Sequence, residues 1–267
     1  MHRHLKHIPL YFLFFVLVGI VLSARGEKTE SAGPAPTLTY KIIRSYPHDP
    51  DAYTQGLVID NGVLYEGTGI YGKSSLRKVD LQSGRVLQLH KLPPQFFGEG
   101  VTVMDNRVIQ LTWRAHVGFV YEKSNFKLER IFKYPGEGWG ITHDGKNLII
   151  SDGSAFLRFL NPETFVEEKR INVTDEHGPV PLLNELEYVE GTIYANVWKT
   201  DRIALINPET GRVKGWLDLS GILKKEDKSK GNKGVLNGIA YDADQKALYI
   251  TGKLWPLLFQ IEPLLHE

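Results

Sequence analysis

Glu99 is the first residue of this sequence whose surroundings suggest chemistry, because it lies between two glycines in the segment Phe97-Gly98-Glu99-Gly100. Glycines on both sides leave the carboxyl without side-chain cover, so it can point into a cavity from the start of a strand. A carboxyl in such a place can accept and return a proton. An acid in an ordinary turn would look the same, and Glu99 alone does not separate the two interpretations.

Glu99 occupies a position of a sequence repeat, and the other units of the repeat carry amide or indole side chains at the same position. Five segments share a lead residue, a short apolar strand, a polar turn and a second apolar strand. A closing position, about 14 residues after each lead, ends the second strand. The leads, at intervals of 44, 40, 45 and 53 residues, are Gln55, Glu99, Trp139, Asn184 and Asn237, and the closing positions are Gly69, Trp113, Asp152 or Gly153, Trp198 and Lys253.

Antiparallel pairing brings the lead and the closing position of each segment to the same end of a hairpin. If the first strand of each unit is innermost, both sets face one mouth of a central channel. Acids, amides, indoles and a lysine occupy these positions, where a buried strand would carry Val, Ile or Leu. We therefore predict a pocket at this mouth. At single positions the structural alternatives are an indole that closes an interface between units and an Asn or Asp that caps a turn.

The elements that must position these residues are strands. Units of about 45 residues with roughly four strands each are typical of β-propeller blades. Asn-Pro-Glu-Thr turns at 161–164 and 207–210 separate the later strands of two units, and no long segment has helical periodicity. The sequence predicts an all-β, five-bladed β-propeller of four-stranded antiparallel blades with little helix, in which residues 38–45 complete the last sheet. A two-sheet sandwich is the alternative.

Residues 1–26 have the layout of a secretory signal peptide, with a basic start, an apolar run and a small-residue cleavage site at Ala24-Arg25-Gly26. An uncleaved membrane anchor is the alternative, because the run is short for a span but dense in Leu, Phe and Val. Residues 27–37 are predicted to be a polar linker, and residues 38–267 the propeller domain. We expect an exported protein, periplasmic or secreted, without stable membrane association after signal cleavage.

The composition excludes some partners. A net charge of +1 argues against nucleic acid, which usually selects a strongly basic surface. The chain has no cysteine, so an exported protein of this sequence relies on packing rather than disulfides. His116, His143 and His177 occupy unrelated repeat positions without the spacing of zinc ligands, so no metal site is predicted from them.

Motifs in every unit resemble the propeller-type glutamine cyclotransferases of plants and bacteria, over essentially all of residues 38–263. Tyr53 stands where the family pattern leads us to expect Phe, which keeps the ring and adds a hydroxyl. The motifs are YTQGL at 53–57, FGEG at 97–100, LTW at 111–113, GWGITHDG at 138–145, LNELE at 183–187, ANVWKTDRI at 195–203 and LNGIAY with TGKLWP within 236–256.

This resemblance implies an enzyme, a glutaminyl-peptide cyclotransferase, that converts N-terminal glutaminyl residues to pyroglutamyl with release of ammonia. It implies Glu99 as the general acid/base, with Asn184 and Lys253 at the oxygen that becomes negative. Apolar walls should raise the pKa of Glu99 toward that of a working acid/base. Gln55 would hold the substrate amide or backbone, and the indoles would form a slot that excludes water. The implied substrate-binding residues are Tyr53, Gln55, Phe97, Trp113, Trp139 and Trp198.

The expected partners are peptides or proteins with N-terminal Gln, and the expected state is a monomer. The mechanism requires no cofactor and no metal, while a structural calcium ion in the channel stays open. Two other classes also stay open. A lactonase-like hydrolase would place Glu99, Asn184, Asn237 and Asp152 around calcium, although a lysine at the same rim would repel the ion. A propeller that only binds a partner would need no chemistry at all.

Overall fold

The computed structural model describes residues 33–224 and 234–265. The predicted signal peptide at 1–26 lies outside the described residues, and so does most of the linker predicted for 27–37. All regular secondary structure in the described part of the chain is β. In the same ranges, no helix has the length and apolar character needed to cross a bilayer.

The strands follow the hairpins expected from the repeat. In chain order they are β1 (Thr37–Pro47), β2 (Thr54–Asp60), β3 (Val63–Thr68), β4 (Ser75–Val79), β5 (Val86–Lys91), β6 (Gly98–Met104), β7 (Arg107–Thr112), β8 (Val117–Glu122), β9 (Leu128–Lys133), β10 (Ile141–His143), β11 (Leu148–Ile150), β12 (Phe156–Leu160), β13 (Glu167–Asn172), β14 (Thr174–Asp175), β15 (Gly178–Pro179), β16 (Leu183–Val189), β17 (Thr192–Val197), β18 (Arg202–Ile206), β19 (Val213–Asp218), β20 (Leu236–Asp242), β21 (Ala247–Gly252) and β22 (Leu257–Leu265).

Antiparallel groups of four strands make up most of the fold. Three of them are separate sheets, formed by β2–β5, β6–β9 and β10–β13. An eight-stranded sheet contains two more groups, β16–β19 and β20–β22 with β1. β1 pairs antiparallel with β22, so the first strand completes the last group as the sequence predicts. The two groups are joined by two residue pairs, Thr37/Trp216 and Leu38/Leu217, in which β1 lies parallel to β19.

The burial of the strands follows their position within each sheet. β6, the first strand of its sheet, is buried on both faces, as a strand with apolar neighbours on both sides requires. β5, the fourth strand of the preceding sheet, alternates between half-buried and exposed residues. The first strands are therefore innermost, as the prediction of a shared channel mouth requires.

A glycine after the lead residue lets the innermost strands approach each other closely. A Cβ at Gly56 would lie 2.2 Å from the backbone nitrogen of Val101, and a Cβ at Gly100 would lie 2.7 Å from that of Ile141. The N–H of Gly100 also donates to the carbonyl of Trp139 at 2.8 Å. Because these backbones lie side by side, the lead residues of neighbouring units are brought together.

Hydrophobic clusters fill the interfaces between consecutive groups. One cluster includes Val58 of the first sheet and Val101 of the second. Another joins the last group to the first and includes Tyr249 and Leu57. The groups therefore follow one another around a ring, which places the ends of their innermost strands around a common centre.

Candidate active site

A cavity of about 240 Å³ opens where the innermost strands begin. Gln55, Glu99 and Asn184 are each the second residue of their strand, β2, β6 and β16. The common position in three strands explains why these side chains share one space. All nine residues proposed for the site from the sequence line this cavity: Tyr53, Gln55, Phe97, Glu99, Trp113, Trp139, Asn184, Trp198 and Lys253.

The second strands supply the other side of the cavity. Trp113, Trp198 and Lys253 each directly follow the last residue of β7, β17 and β21. They therefore occupy equivalent places at the same end of three hairpins, opposite the lead residues. The two extra residues before Lys253 are taken up by the longer turn between β20 and β21.

The remaining closing positions carry glycine, and each glycine makes room for a ring of the cavity. A Cβ at Gly69 would lie 2.4 Å from the ring of Phe97, and a Cβ at Gly153 would lie 2.7 Å from the indole of Trp139. Gly153 also has a positive φ of 80°, which disfavours other residues. The rings of Phe97 and Trp139 therefore fit into the cavity wall because glycine leaves these two positions without a side chain.

Glu99 is buried in this cavity, with only 4% of its surface exposed. Its Oε1 accepts a hydrogen bond from Nε2 of Gln55 at 3.0 Å. Burial raises the pKa of Glu99 well above the usual range, the ammonium of Lys253 opposes this, and the carboxylate of Glu137 adds to it. The carboxyl can therefore hold a proton at a pH where an exposed glutamate has lost it.

Lys253 is the cationic residue of the cavity lining. Its Nζ lies 4.9 Å from the centroid of the Tyr53 ring, and its backbone is fixed by hydrogen bonds to Gly234 and Val235. Burial lowers the pKa of Lys253 to about 8, and the carboxyl of Glu99 opposes this shift. At neutral pH the ammonium is therefore largely retained while remaining able to titrate.

Asn184 has an amide that is free to bind a ligand. The residue is 3% exposed, and its Oδ1 is buried without a hydrogen-bond partner. The amide forms no hydrogen bond to any other described residue. An unpaired buried polar group costs about 1–3 kcal/mol, and the amide nitrogen of Asn184 remains available as a donor at the cavity wall.

The apolar wall consists of aromatic rings in edge contact. The indoles of Trp139 and Trp198 meet at 5.4 Å between centroids and 86°, and Phe97 meets Trp113 at 5.6 Å and 60°. Phe97 also contacts Tyr53 at 6.2 Å. We call Trp113, Trp139 and Trp198 the indole slot. These rings form the apolar side of the cavity, and apolar surroundings strengthen electrostatic interactions.

Glu137 is a residue of this region that sequence reasoning missed. Its Oε2 accepts hydrogen bonds from the indole N–H groups of both Trp113 and Trp139, at 2.7 and 2.9 Å. Burial alone would raise the pKa of Glu137, but hydrogen bonds from these indoles and from Arg114 hold it below the usual range. The available signal was an acid two residues before the lead Trp139, in Gly136-Glu137-Gly138.

A buried ion pair, with two further hydrogen bonds, ties together four segments next to the cavity. His48 lies 2.7 Å from the backbone oxygen of Trp255 through Nδ1 and 3.0 Å from Oε1 of Glu66 through Nε2. The same oxygen accepts a hydrogen bond from Thr54, the neighbour of Gln55, at 2.8 Å. The sequence did not reveal this support, because its members come from four separate segments.

Asp152, the second acid placed at this rim by the repeat, does not line the cavity. Its Oδ1 accepts hydrogen bonds from the backbone N–H and the hydroxyl of Ser154. Its Oδ2 lies 3.8 Å from Nε of Arg158. The carboxylate therefore braces its own loop, the structural role that the sequence left open for it.

Asn237 also lies outside the cavity lining. It is fully buried, and its Nδ2 donates to the carbonyl of Thr54 at 3.1 Å. Of the four oxygen ligands that the lactonase-like alternative needs around calcium, only Glu99 and Asn184 line the cavity. Within residues 33–224 and 234–265, no three His, Cys, Asp or Glu side chains are grouped so that they could hold a metal ion.

Two further carboxyls occupy the interior beyond the lead residues. Glu185 replaces the glycine of the other units, and its two oxygens accept the N–H groups of Leu57 and Ile239, at 3.1 and 2.9 Å. Burial and the neighbouring Glu187 raise the pKa of Glu185 well above the usual range. Glu185 thus links the innermost strands of three groups across the ring.

The raised pKa of Glu187 predicts how the free energy of unfolding depends on pH. Burial raises the pKa of Glu187 to about 8, although hydrogen bonds from Tyr241 and Thr142 oppose the shift. Between about pH 4.5 and 8 the folded chain keeps this proton and the unfolded chain has released it, so stability falls as pH rises. We expect Glu187→Gln to flatten the pH dependence of the thermal unfolding midpoint, because the amide resembles the protonated acid.

The measurement is thermal unfolding from pH 5 to 9 for the wild type, Glu187→Gln and Glu209→Gln. Glu209 is the matched control, since its exposed carboxylate pairs with Lys169 at the surface. The control profile should follow that of the wild type. Parallel profiles for the wild type and Glu187→Gln would contradict a raised pKa of Glu187.

Comparison with known proteins agrees with this arrangement. The sequence profile of the glutamine cyclotransferase family matches residues 14–263. The chain is 43% identical to a glutaminyl-peptide cyclotransferase of Arabidopsis thaliana over 248 residues, which covers 87% of this chain and 75% of that protein. It is similar to the crystal structure of Myxococcus xanthus glutaminyl cyclase, with a TM-score of 0.82 and 35% identity, over 87% of this chain and 100% of the other.

A ring of antiparallel four-stranded groups, with a cavity of aromatic and polar side chains at one end of its innermost strands, defines a propeller-like all-β fold. The chain belongs to the glutamine cyclotransferase family.

Proposed function

We propose a mechanism by which this chain, a glutaminyl-peptide cyclotransferase, converts the N-terminal glutaminyl residue of a peptide or protein to pyroglutamyl. The observation that carries the mechanism is the buried carboxyl of Glu99, with its raised pKa, in one cavity with Lys253 and the unpaired amide of Asn184. A proton carrier and two donors are the groups that this reaction needs.

In the first step the α-amine of the substrate attacks its own γ-carbonyl carbon. Nucleophile and electrophile belong to one residue, so the effective concentration is already high. A C–N bond forms, the carbonyl oxygen becomes negative, and Glu99 takes the proton that the attacking nitrogen loses. Lys253 and Asn184 donate hydrogen bonds to the negative oxygen, and such prearranged donors are typically worth about 3–4 kcal/mol each.

In the second step the tetrahedral intermediate collapses. Glu99 returns its proton to the amide nitrogen of the former side chain, the C–N bond to that nitrogen breaks, and ammonia leaves. The products are a pyroglutamyl peptide and ammonia, and the enzyme ends in its starting protonation state. A carboxyl whose pKa is moved toward neutrality suits both transfers, since it must accept and give a proton at one pH.

The rest of the cavity holds the substrate. Gln55 orients Glu99 and binds the glutaminyl amide or backbone, while Tyr53 and Phe97 enclose the short side chain. The indole slot packs against the apolar part of the substrate and keeps out water, which would otherwise compete for the donors.

For the whole fold we propose five blades, with the eight-stranded sheet counted as two of them. Two observations support this count. The two halves of that sheet are joined by only two residue pairs, and hydrophobic clusters of the described residues fill five successive interfaces between four-stranded groups.

We also propose that residues 1–26 are a signal peptide, that residues 27–37 are a linker, and that residues 38–267 form the catalytic propeller. On this proposal the mature chain is exported, periplasmic or secreted, and acts as a monomer without membrane attachment. The support is the basic start, the apolar run and the cleavage site of the N-terminal segment. The reaction itself requires no cofactor.

Ammonia release from a dipeptide with N-terminal Gln tests the reaction. We expect equal amounts of ammonia and pyroglutamyl dipeptide, and neither product from the same dipeptide with an acetylated α-amine, because the blocked amine cannot attack. Ammonia from the acetylated peptide would indicate hydrolysis by water instead. If neither peptide releases ammonia, the result would favour a propeller that only binds a partner. Loss of activity with a chelator would favour the calcium-dependent alternative.

A further inference from the structure

Glu137 connects two walls of the indole slot without lining the cavity itself. A single oxygen, Oε2, accepts the indole N–H of Trp113 and that of Trp139. Trp113 follows β7 of the second sheet, whereas Trp139 precedes β10 of the third. One carboxylate oxygen therefore fixes the distance between rings that belong to different sheets.

We propose that Glu137 is a positioning residue that sets the geometry of the substrate slot by holding Trp113 and Trp139 on one carboxylate oxygen. This inference rests on the proposed function, because it assigns Glu137 a part in the same reaction.

Several contacts hold the Glu137 carboxylate in place. The other oxygen, Oε1, accepts Nε of Arg114 at 2.8 Å, and the guanidinium of Arg114 lies 3.8 Å from the centroid of the Trp113 ring. The backbone oxygen of Glu137 accepts a hydrogen bond from buried Arg158 at 3.3 Å. Carboxylate, guanidinium and indole thus form one interlocked group at the mouth of the cavity.

The hydrogen bonds to Glu137 define the ring orientations. An indole N–H needs a partner when it is buried, and a bond to a charged acceptor contributes about 1.5–3 kcal/mol. Without the carboxylate, the shared anchor of Trp113 and Trp139 is lost, and each ring can rotate independently. The slot would then hold the substrate less tightly before any chemistry occurs.

The charge of Glu137 acts on Glu99 at the same time. The charged and titratable groups that interact with Glu99 are Lys253, which lowers its pKa, and Glu137, which raises it. The phenols of Tyr53 and Tyr134 also interact with Glu99, and both remain neutral at working pH because their own pKa values are raised. Removing the negative charge of Glu137 should therefore lower the pKa of Glu99.

Two substitutions separate these effects in the full-length protein. Glu137→Gln keeps an oxygen that can accept indole N–H groups but loses the charge, whereas Glu137→Ala loses both. We expect Glu137→Ala to raise KM for a Gln-initial dipeptide at least about 10-fold with a smaller change in kcat, and to shift the tryptophan fluorescence. We expect Glu137→Gln to keep KM within about threefold of the wild type and to move the acid limb of the kcat profile to lower pH.

Glu209→Ala and Glu209→Gln are the matched controls, because they remove an exposed carboxylate of the same type. Normal KM and fluorescence in Glu137→Ala would overturn the positioning role. An unmoved acid limb in Glu137→Gln would overturn the electrostatic role, and it does so even if Glu137→Ala fails to fold. If the wild type releases no ammonia, the proposed reaction fails, and quenching of the tryptophan fluorescence by the dipeptide still tests the slot.

Discussion

Glu99→Gln is expected to lower kcat at least about 100-fold with little change in KM. The amide keeps the size of the side chain, and its oxygen can still accept the hydrogen bond from Gln55. It has lost the ability to take a proton from the amine and return it to the leaving nitrogen, and general acid–base catalysis typically contributes about 10²–10⁴ in rate. The measurement is steady-state ammonia release across a range of dipeptide concentrations, with thermal unfolding to confirm an intact fold.

Asp152→Asn is the matched control for this experiment. Asp152 is an acid at the closing position of another unit, but its carboxylate is held by Ser154 and lies outside the cavity lining. We expect its turnover to remain close to that of the wild type. Near-normal turnover of Glu99→Gln would falsify the assignment of Glu99 as the proton carrier.

Lys253→Ala is expected to lower kcat by about 10²–10³, the usual loss when one donor to a negative oxygen is removed. The contact strengthens as charge develops in the transition state, so the effect appears in kcat more than in KM. The substitution also removes the cation that lowers the pKa of Glu99, so the acid limb of the kcat profile should move to higher pH.

The wild-type profile offers an independent check on Lys253. Since burial lowers the pKa of Lys253 to about 8, activity should decline above that pH as the ammonium loses its proton. Trp198→Ala provides the contrast, because loss of a slot wall should mainly raise KM. A kcat for Lys253→Ala within about threefold of the wild type would remove the lysine from the proposed mechanism.

The positions of the site residues were predictable because they depend on periodicity. Each lead residue starts an innermost strand, and each closing residue follows the strand paired with it. Residues at equal spacing along the chain therefore lie at the same end of their sheets. Glu99, Asn184, Trp198 and Lys253 line one cavity as expected. The antiparallel four-stranded groups follow from the same repeat.

What the sequence did not reveal depends on contacts between units. Periodicity places Asp152 and Asn237 at the correct rim, but it does not determine which way a side chain turns. Their hydrogen bonds to Ser154 and Thr54 decide that. Glu137 stands two residues before the lead Trp139, but its importance arises only where two indoles from different sheets converge on its oxygen. The parallel pairing of β1 with β19 likewise joins segments nearly 180 residues apart.

The pairing of β1 with β22 has a consequence for the order of folding. The group β20–β22, in which Lys253 directly follows β21, is completed by β1, the strand that a ribosome makes first among those described. The partner of β1 is β22, which is made last among them. Contacts between such distant segments form slowly, because the entropy of closing the loop between them must be overcome. Earlier groups can assemble before β22 is available, but the ring cannot close until β22 pairs with β1. We therefore expect the cavity to be completed late in folding, when Lys253 is brought to the same rim as Glu99.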